Sequence, residues 1–173
     1  MISADVDESL RAGESAPVYV ERLAREKANA AAARLRSMNQ NSGIIVAADT
    51  TVVLDGEILG KPESAEDAHR MLRSLSGKWH EVFTGLAVLP LAAAAPQEQL
   101  LVEQTRVQFA KLCENEIDDY VATGEPFDKA GAYAIQGLGG KFIPRIEGCY
   151  FNVMGLPLAR LYEALRKIET VHG

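Results

Sequence analysis

Asp49 is the residue in this sequence most in need of a chemical reason. The stretch Ile44-Ile45-Val46-Ala47-Ala48-Asp49-Thr50-Thr51-Val52-Val53 runs apolar into the aspartate and apolar out again. A carboxylate in a strand that otherwise reads as buried costs folding free energy unless something binds it or pairs with it. Two readings compete: a structural carboxylate capping a neighbouring helix or turn, and a functional one. Position favours function, because open α/β sheets place their chemistry at the carboxyl ends of strands, and Asp49 closes the first apolar run. Gly60-Lys61-Pro62 follows the turn Asp55-Gly56 and supplies a cation. A carboxylate beside a fixed ammonium is the arrangement expected for handling water next to a phosphate.

The surrounding elements must position these groups. Ser15 as N-cap and Pro17 in the first turn predict a helix running to about Arg36, with an apolar stripe of Val20, Leu23, Ala24, Ala28, Ala31 and Leu35. Lys27 falls on that stripe, so its side chain either snorkels to solvent or points into a site. A second helix opens at Ser64 with a capping box to Asp67, buries Ala68, Met71, Leu72 and Leu75, and stops at Gly77. Strands follow over Glu81–Leu89 and Leu100–Phe109, the second with one wet face. Pro90-Leu91-Ala92-Ala93-Ala94-Ala95-Pro96 between them reads as a surface loop. A short helix over Asn115–Thr123 leads into a glycine-rich segment from Gly124 to Gly148. The last helix runs from Pro157 to Ile168. The pattern is a mixed α/β chain with a substantial antiparallel component.

Composition narrows the function classes. A chain of 173 residues with 47% hydrophobic and 24% charged residues fits one ordinary globular domain with a real core. The net charge of −6 argues against a nucleic-acid-coating surface or a polybasic membrane anchor, yet leaves room for a nucleotide, which needs only a few local cations. Cys113 and Cys149 stand apart and read as reduced thiols, with a disulfide between them as the alternative, and His69, His80 and His172 lack metal-ligand spacing, which argues against a zinc site. No apolar run reaches membrane-spanning length and no signal-peptide pattern opens the sequence, so the cytoplasm is the expected compartment.

Three common motifs fail. Gly56-Glu57-Ile58-Leu59-Gly60-Lys61-Pro62 is one residue short of a P-loop and carries Pro62 where a magnesium-holding Ser or Thr belongs. Gly137-Leu138-Gly139-Gly140 has Phe142 at the third glycine of a dinucleotide fingerprint, and no Gly-x-Ser-x-Gly elbow occurs.

A constellation does hold. Asp5-Val6-Asp7-Glu8, Leu23-Ala24-Arg25-Glu26-Lys27-Ala28, Ala48-Asp49-Thr50, Gly60-Lys61-Pro62, Ser74-Leu75-Ser76-Gly77, Asp128-Lys129-Ala130-Gly131-Ala132-Tyr133, Ile135-Gln136-Gly137 and Gly155-Leu156-Pro157-Leu158 occur in this order. Together they resemble the Maf family of nucleoside triphosphate pyrophosphatases, related in fold to the inosine-triphosphate pyrophosphatases. Each motif alone is weak; the ordered set is specific and covers essentially the whole chain.

The resemblance implies one Maf-like domain over residues 1–173, with a mixed twisted sheet flanked by helices. It implies hydrolysis of a nucleoside triphosphate to the monophosphate and pyrophosphate, with a divalent cation, Mg or Mn. The family's general base falls on Asp49, Lys27 and Lys61 match lysines that meet the triphosphate, and Glu8 matches an acidic position near the metal. Lys129 is either a further phosphate contact or the partner of Asp128 in a turn. Thr50 and Gln136 match positions that mark the subgroup acting on dTTP and UTP. An amide at Gln136 can pair with the O4 and N3–H edge of thymine or uracil; the competing role is a polar residue closing a glycine turn. A homodimer is compatible with the resemblance.

One family feature has no counterpart. The Ser-x-Ser-Pro-Arg-Arg loop, which offers backbone N–H groups and paired arginines to phosphates, does not occur, and the sequence opens where the family has its second strand. The expectation is a missing strand and covering helix, and weaker turnover. Two function classes follow: a dTTP/UTP pyrophosphatase, with purine selectivity as the variant within that class, or a nucleotide-binding regulator of septum formation and cell division with little turnover. Asp49, Lys61 and Gln136 favour the enzyme; the missing arginine loop favours the binder.

Overall fold

Strand propensity, not the acidic residue, decides where the first strand ends. In the computed structural model, which describes residues 6–92 and 98–169, β1 spans Ile44–Leu54 and runs straight through Asp49. Thr50, Thr51, Val52 and Val53 are β-branched and prolong the strand. Asp49 therefore lies mid-strand rather than at a strand end. β1 turns at Asp55 and Gly56, whose φ values of 52° and 86° are those of a tight hairpin turn. β2 (Glu57–Leu59) returns antiparallel, with Leu54 opposite Glu57 and Val52 opposite Leu59.

The remaining elements follow in order. α1 spans Ala16–Ser37 and precedes β1; α2 (Ala65–Leu75), β3 (Trp79–Pro90), β4 (Gln99–Gln108), α3 (Glu114–Ala122), β5 (Arg145–Glu147), α4 (Tyr150–Val153) and α5 (Leu158–Glu169) come after β2. Three short 3-10 turns, over Glu125–Asp128, Ala130–Ala132 and Leu138–Phe142, fill the glycine-rich segment. The sheet order is β2-β1-β3-β4-β5, with β4 and β5 antiparallel. Residues 1–5, Ala93–Pro96 of the expected surface loop and His172 lie outside the described residues. No described helix is long and apolar enough to cross a membrane.

The chain divides into two compact units. One contains the described residues of Met1–Asp49, Thr84–Glu103 and Gly155–Gly173; the other contains Thr50–Phe83 and Gln104–Met154.

In the first unit, strand alternation sorts side chains between two helices. Ala24, Ala28, Ala31 and Ala32 of α1 pack on Ile45 of β1 and Ala87 of β3. Ala164 and Ile168 of α5 pack on Leu86 and Val88 of β3, with Ala48 at the edge of that cluster. Ile45, Ala47 and Asp49 share a parity, so Asp49 belongs to the α1 face. The small residues on α1 bring its backbone close to the sheet. At Gly85 a Cβ would lie 2.1 Å from the Val20 carbonyl oxygen, so no larger residue fits there.

In the second unit, Met71, Leu72 and Leu75 of α2 and Ile117 and Tyr120 of α3 close over Val52, Val82 and Val107 of the strands. Edge-on aromatic pairs, Phe109 with Tyr133 and Tyr120 with Phe142, fill the rest. The α2 cap departs slightly from a full capping box. The Ser64 hydroxyl accepts from the Asp67 N–H at 3.1 Å, whereas the Asp67 carboxylate accepts from the Glu63 N–H. Aspartate is one methylene shorter than the glutamate that reaches the cap's own N–H.

Candidate active site

The α1 face of the first unit brings three charged side chains to one point. Lys27 Nζ lies 2.6 Å from Asp49 Oδ1 and 2.6 Å from Glu8 Oε1. Lys27 and Asp49 are 22% and 13% exposed, and Glu8 is 47% exposed, so the cluster opens toward solvent on the Glu8 side. Lys27 does not snorkel. Burial works against its charge, but the hydrogen bonds and charges of Asp49 and Glu8 outweigh burial and raise its pKa above the usual 10.5. It is a fixed cation between two carboxylates.

The loop that carries Glu8 is pinned by residues that spacing did not disclose. Arg22 is buried on α1 and grips Glu14 with two charge-assisted bonds, Nε to Oε1 at 2.7 Å and Nη2 to Oε2 at 2.8 Å. Arg22 Nη2 also donates to the Ser9 carbonyl at 3.0 Å, and Tyr19 Oη donates to the Glu8 carbonyl at 2.8 Å. The arginine holds the Glu14 carboxyl down at about 2, with burial opposing. Glu14 lies outside the helix, so no helical periodicity links it to Arg22. The Ser15 side chain makes no cap bond; the helix start is fixed instead by Pro17 and this Arg22–Glu14 clamp.

The other candidates lie in the second unit. Thr50 follows Asp49 directly on β1 and is partly buried. Lys61 is exposed after β2, and the Gly60 carbonyl beside it accepts from the Gly131 N–H at 3.0 Å. That bond sets Lys61 near the turn holding Lys129, and Asp128 there is kept below the usual carboxylate range, first by its bond with Lys129 and in smaller part by Lys61. Lys129 Nζ pairs with Asp128 Oδ2 at 2.8 Å, the turn-closing alternative, while remaining 41% exposed. Gln136 is exposed, with its Nε2 3.0 Å from Met154 Sδ. The structure thus joins Glu8, Lys27 and Asp49 in one cluster, places Lys61 near the turn that holds Lys129, and puts Gln136 on a separate loop.

Among the described residues, no group of three or more His, Cys, Asp or Glu is arranged to hold a metal ion. The Glu8 and Asp49 oxygens that converge on Lys27 Nζ are paired to its ammonium; Glu8, the more exposed of the two carboxylates, is a hard donor of the type magnesium and manganese take together with substrate phosphates and water.

Comparisons with known proteins place the chain in a family. The family model described as Maf-like protein matches residues 1–168. The dTTP/UTP pyrophosphatase of Anaeromyxobacter dehalogenans (strain 2CP-C) is 52% identical over 164 residues, covering 95% of this chain and 80% of the relative. The protein of that name from Methylobacillus flagellatus is 51% identical over 166 residues, with coverages of 96% and 80%. That from Syntrophomonas wolfei is 48% identical over 169 residues, with coverages of 98% and 86%. With a mixed α/β fold, a sheet flanked by helices and this extent of identity, the chain belongs to the Maf-like protein family.

Proposed function

We propose that this protein hydrolyses dTTP and UTP to the nucleoside monophosphate and pyrophosphate in the cytoplasm. The observation that carries the reading is the Glu8–Lys27–Asp49 cluster, in a chain 52% identical to a relative named for that activity. Asp49 is the general base: it takes the proton of the water whose oxygen attacks the α-phosphorus, and pyrophosphate departs. Lys27 pairs with that carboxylate and orients it. Lys61 and Lys129 offer ammonium groups to the triphosphate, and Thr50 and Gln136 read the pyrimidine.

Glu8 is the residue that would hold a divalent cation, beside Asp49. When bound, such an ion supplies acidification of water and neutralisation of phosphate charge. Aspartate alone is a weak base for free water at neutral pH, so the reading includes that ion. The partner is a mononucleotide rather than a polynucleotide, in keeping with the net charge of −6.

Pyrophosphate release from dTTP, UTP, dCTP, dATP and dGTP, with magnesium or manganese, tests the reading. Release confined to dTTP and UTP is the expected result. Nucleotide binding without release would make the protein a regulator instead, and release confined to purines would overturn the role of Gln136.

A further inference from the structure

The loop that carries Gln136 is tied down at one end by Tyr120 and at the other by Glu125. Tyr120 Oη accepts from the Ala134 N–H at 3.2 Å. Glu125 Oε2 accepts from the Leu138 N–H at 2.9 Å, and its Oε1 accepts from the Gly139 N–H at 3.0 Å. Tyr120 Oη in turn donates to Glu125 Oε1 at 2.7 Å, so hydroxyl and carboxylate form one unit. Ile135, Gln136 and Gly137 are the residues strung between these ties.

The glycines of this loop have the matching explanation. A Cβ on Gly137 would lie 2.2 Å from Glu125 Oε2, and a Cβ on Gly139 would lie 2.5 Å from Tyr120 Oη. Each glycine is therefore the space that lets the backbone reach the carboxylate or the phenol. Tyr120 is 1% exposed and fixed edge-on against Phe142, so the clamp is anchored in the core of the second unit. Nothing comparable holds the Gln136 side chain, which is exposed and touches only the flexible thioether of Met154 among the contacts described. The clamp supplies the rigidity that the glutamine itself lacks.

We propose that Tyr120 and Glu125 are positioning residues for base selection: they hold the Ala134–Gly139 loop so that the Gln136 amide meets the pyrimidine edge in one geometry. The inference rests on the proposed pyrimidine selectivity and on Gln136 as its reader. A carboxylate is suited to the task because it accepts from several N–H donors at once. Glutamine at position 125 would turn an NH2 toward one of the two backbone donors and break a tie without changing side-chain size.

The test is a mutant cycle on the full-length chain, with KM and kcat measured for dTTP and dCTP. Gln136→Ala is expected to reduce the preference for dTTP. Glu125→Gln is expected to raise the KM for dTTP about tenfold, the scale of one lost charge-assisted hydrogen bond, and to affect kcat less. In the Gln136→Ala background Glu125→Gln should have little further effect on the preference, because the two act on one contact. Tyr120→Phe, which removes only a hydroxyl, should shift the preference in the same direction and serves if Glu125→Gln fails to fold. Equal losses in kcat for both nucleotides, or an undiminished effect of Glu125→Gln without Gln136, would overturn the proposal. A wild-type protein without pyrimidine preference, or a Gln136→Ala variant that keeps it, would instead overturn the reading beneath it.

Discussion

Lys27 Nζ and Asp49 Oδ1 are 2.6 Å apart, joining the face of α1 to the middle of β1. The contact accounts for both the aspartate in an apolar strand and the lysine on an apolar helix stripe. Each would be costly to bury alone, and together they are paired and hydrogen-bonded.

Replacing Asp49 by Asn keeps the shape and a hydrogen-bond acceptor for Lys27 but removes the base. Turnover of dTTP should fall by about 10²–10⁴-fold, the usual contribution of a general base. Glu8 still neutralises Lys27, so the folded state should persist by circular dichroism. Full activity in Asp49→Asn would show that another group takes the proton.

Replacing Lys27 by Met leaves Asp49 with its neighbours but without its cation. Loss of activity should be accompanied by loss of stability, and that stability loss should depend on pH with a definite sign. The Lys27 pKa is raised in the folded protein above 10.5, so its ion pairs stabilise fully below that value and fade as pH rises through the folded pKa. Denaturant unfolding at pH 8 and pH 11 checks this: the gap between wild type and Lys27→Met should be the larger at pH 8.

The sequence was most legible where a pattern is local. The α1 stripe, the Asp55-Gly56 hairpin, the Ser64 cap and the long strands leave signatures within a few residues. Asp49 was identifiable as a candidate because a carboxylate breaks an apolar run, although the strand continues past it to Leu54. Lys27 was ambiguous for a physical reason: helical spacing says which face a residue is on, but its partner comes from a strand 22 residues later. Polar contacts between distant segments were the least legible. Arg22 with Glu14, and Glu125 with the Leu138 and Gly139 amides, obey no period. The short β5 was missed because Arg145–Glu147 is too brief and too polar to announce a strand, and it is held by pairing with β4.

Gly85 tests how the active cluster depends on backbone contact. Alanine there would place a methyl group 2.1 Å from the Val20 carbonyl, against backbone that cannot rotate away. α1 must then lift from β3, at a cost of about 1–3 kcal/mol as for other overpacked sites. Lys27 sits two turns further along the same helix, so activity should fall along with stability. Thermal unfolding and dTTP turnover of Gly85→Ala check both; an unchanged melting temperature would show that the close approach is dispensable.

His80 should give the protein an acid-sensitive component of stability near neutral pH. Its ring is 2% exposed, its Nε2 is 2.7 Å from Tyr133 Oη, and it lies edge-on to Phe109. Burial pushes its pKa down from 6.5 to about 4. Below about pH 6.5 the unfolded chain binds a proton that the folded chain refuses, so stability is complete above that pH and declines as pH falls toward 4. Between pH 7 and pH 5 the decline from this residue is about 2 kcal/mol. Glu14, held at about 2, titrates lower and adds its own loss only below pH 4.5, which keeps the two windows apart. Guanidinium unfolding of wild type and His80→Phe at pH 7, 6 and 5 separates the contribution. The variant will be less stable at pH 7 because the Tyr133 hydroxyl loses its partner, but its stability should change less with pH. Parallel declines in the two proteins would move the acid sensitivity to another group.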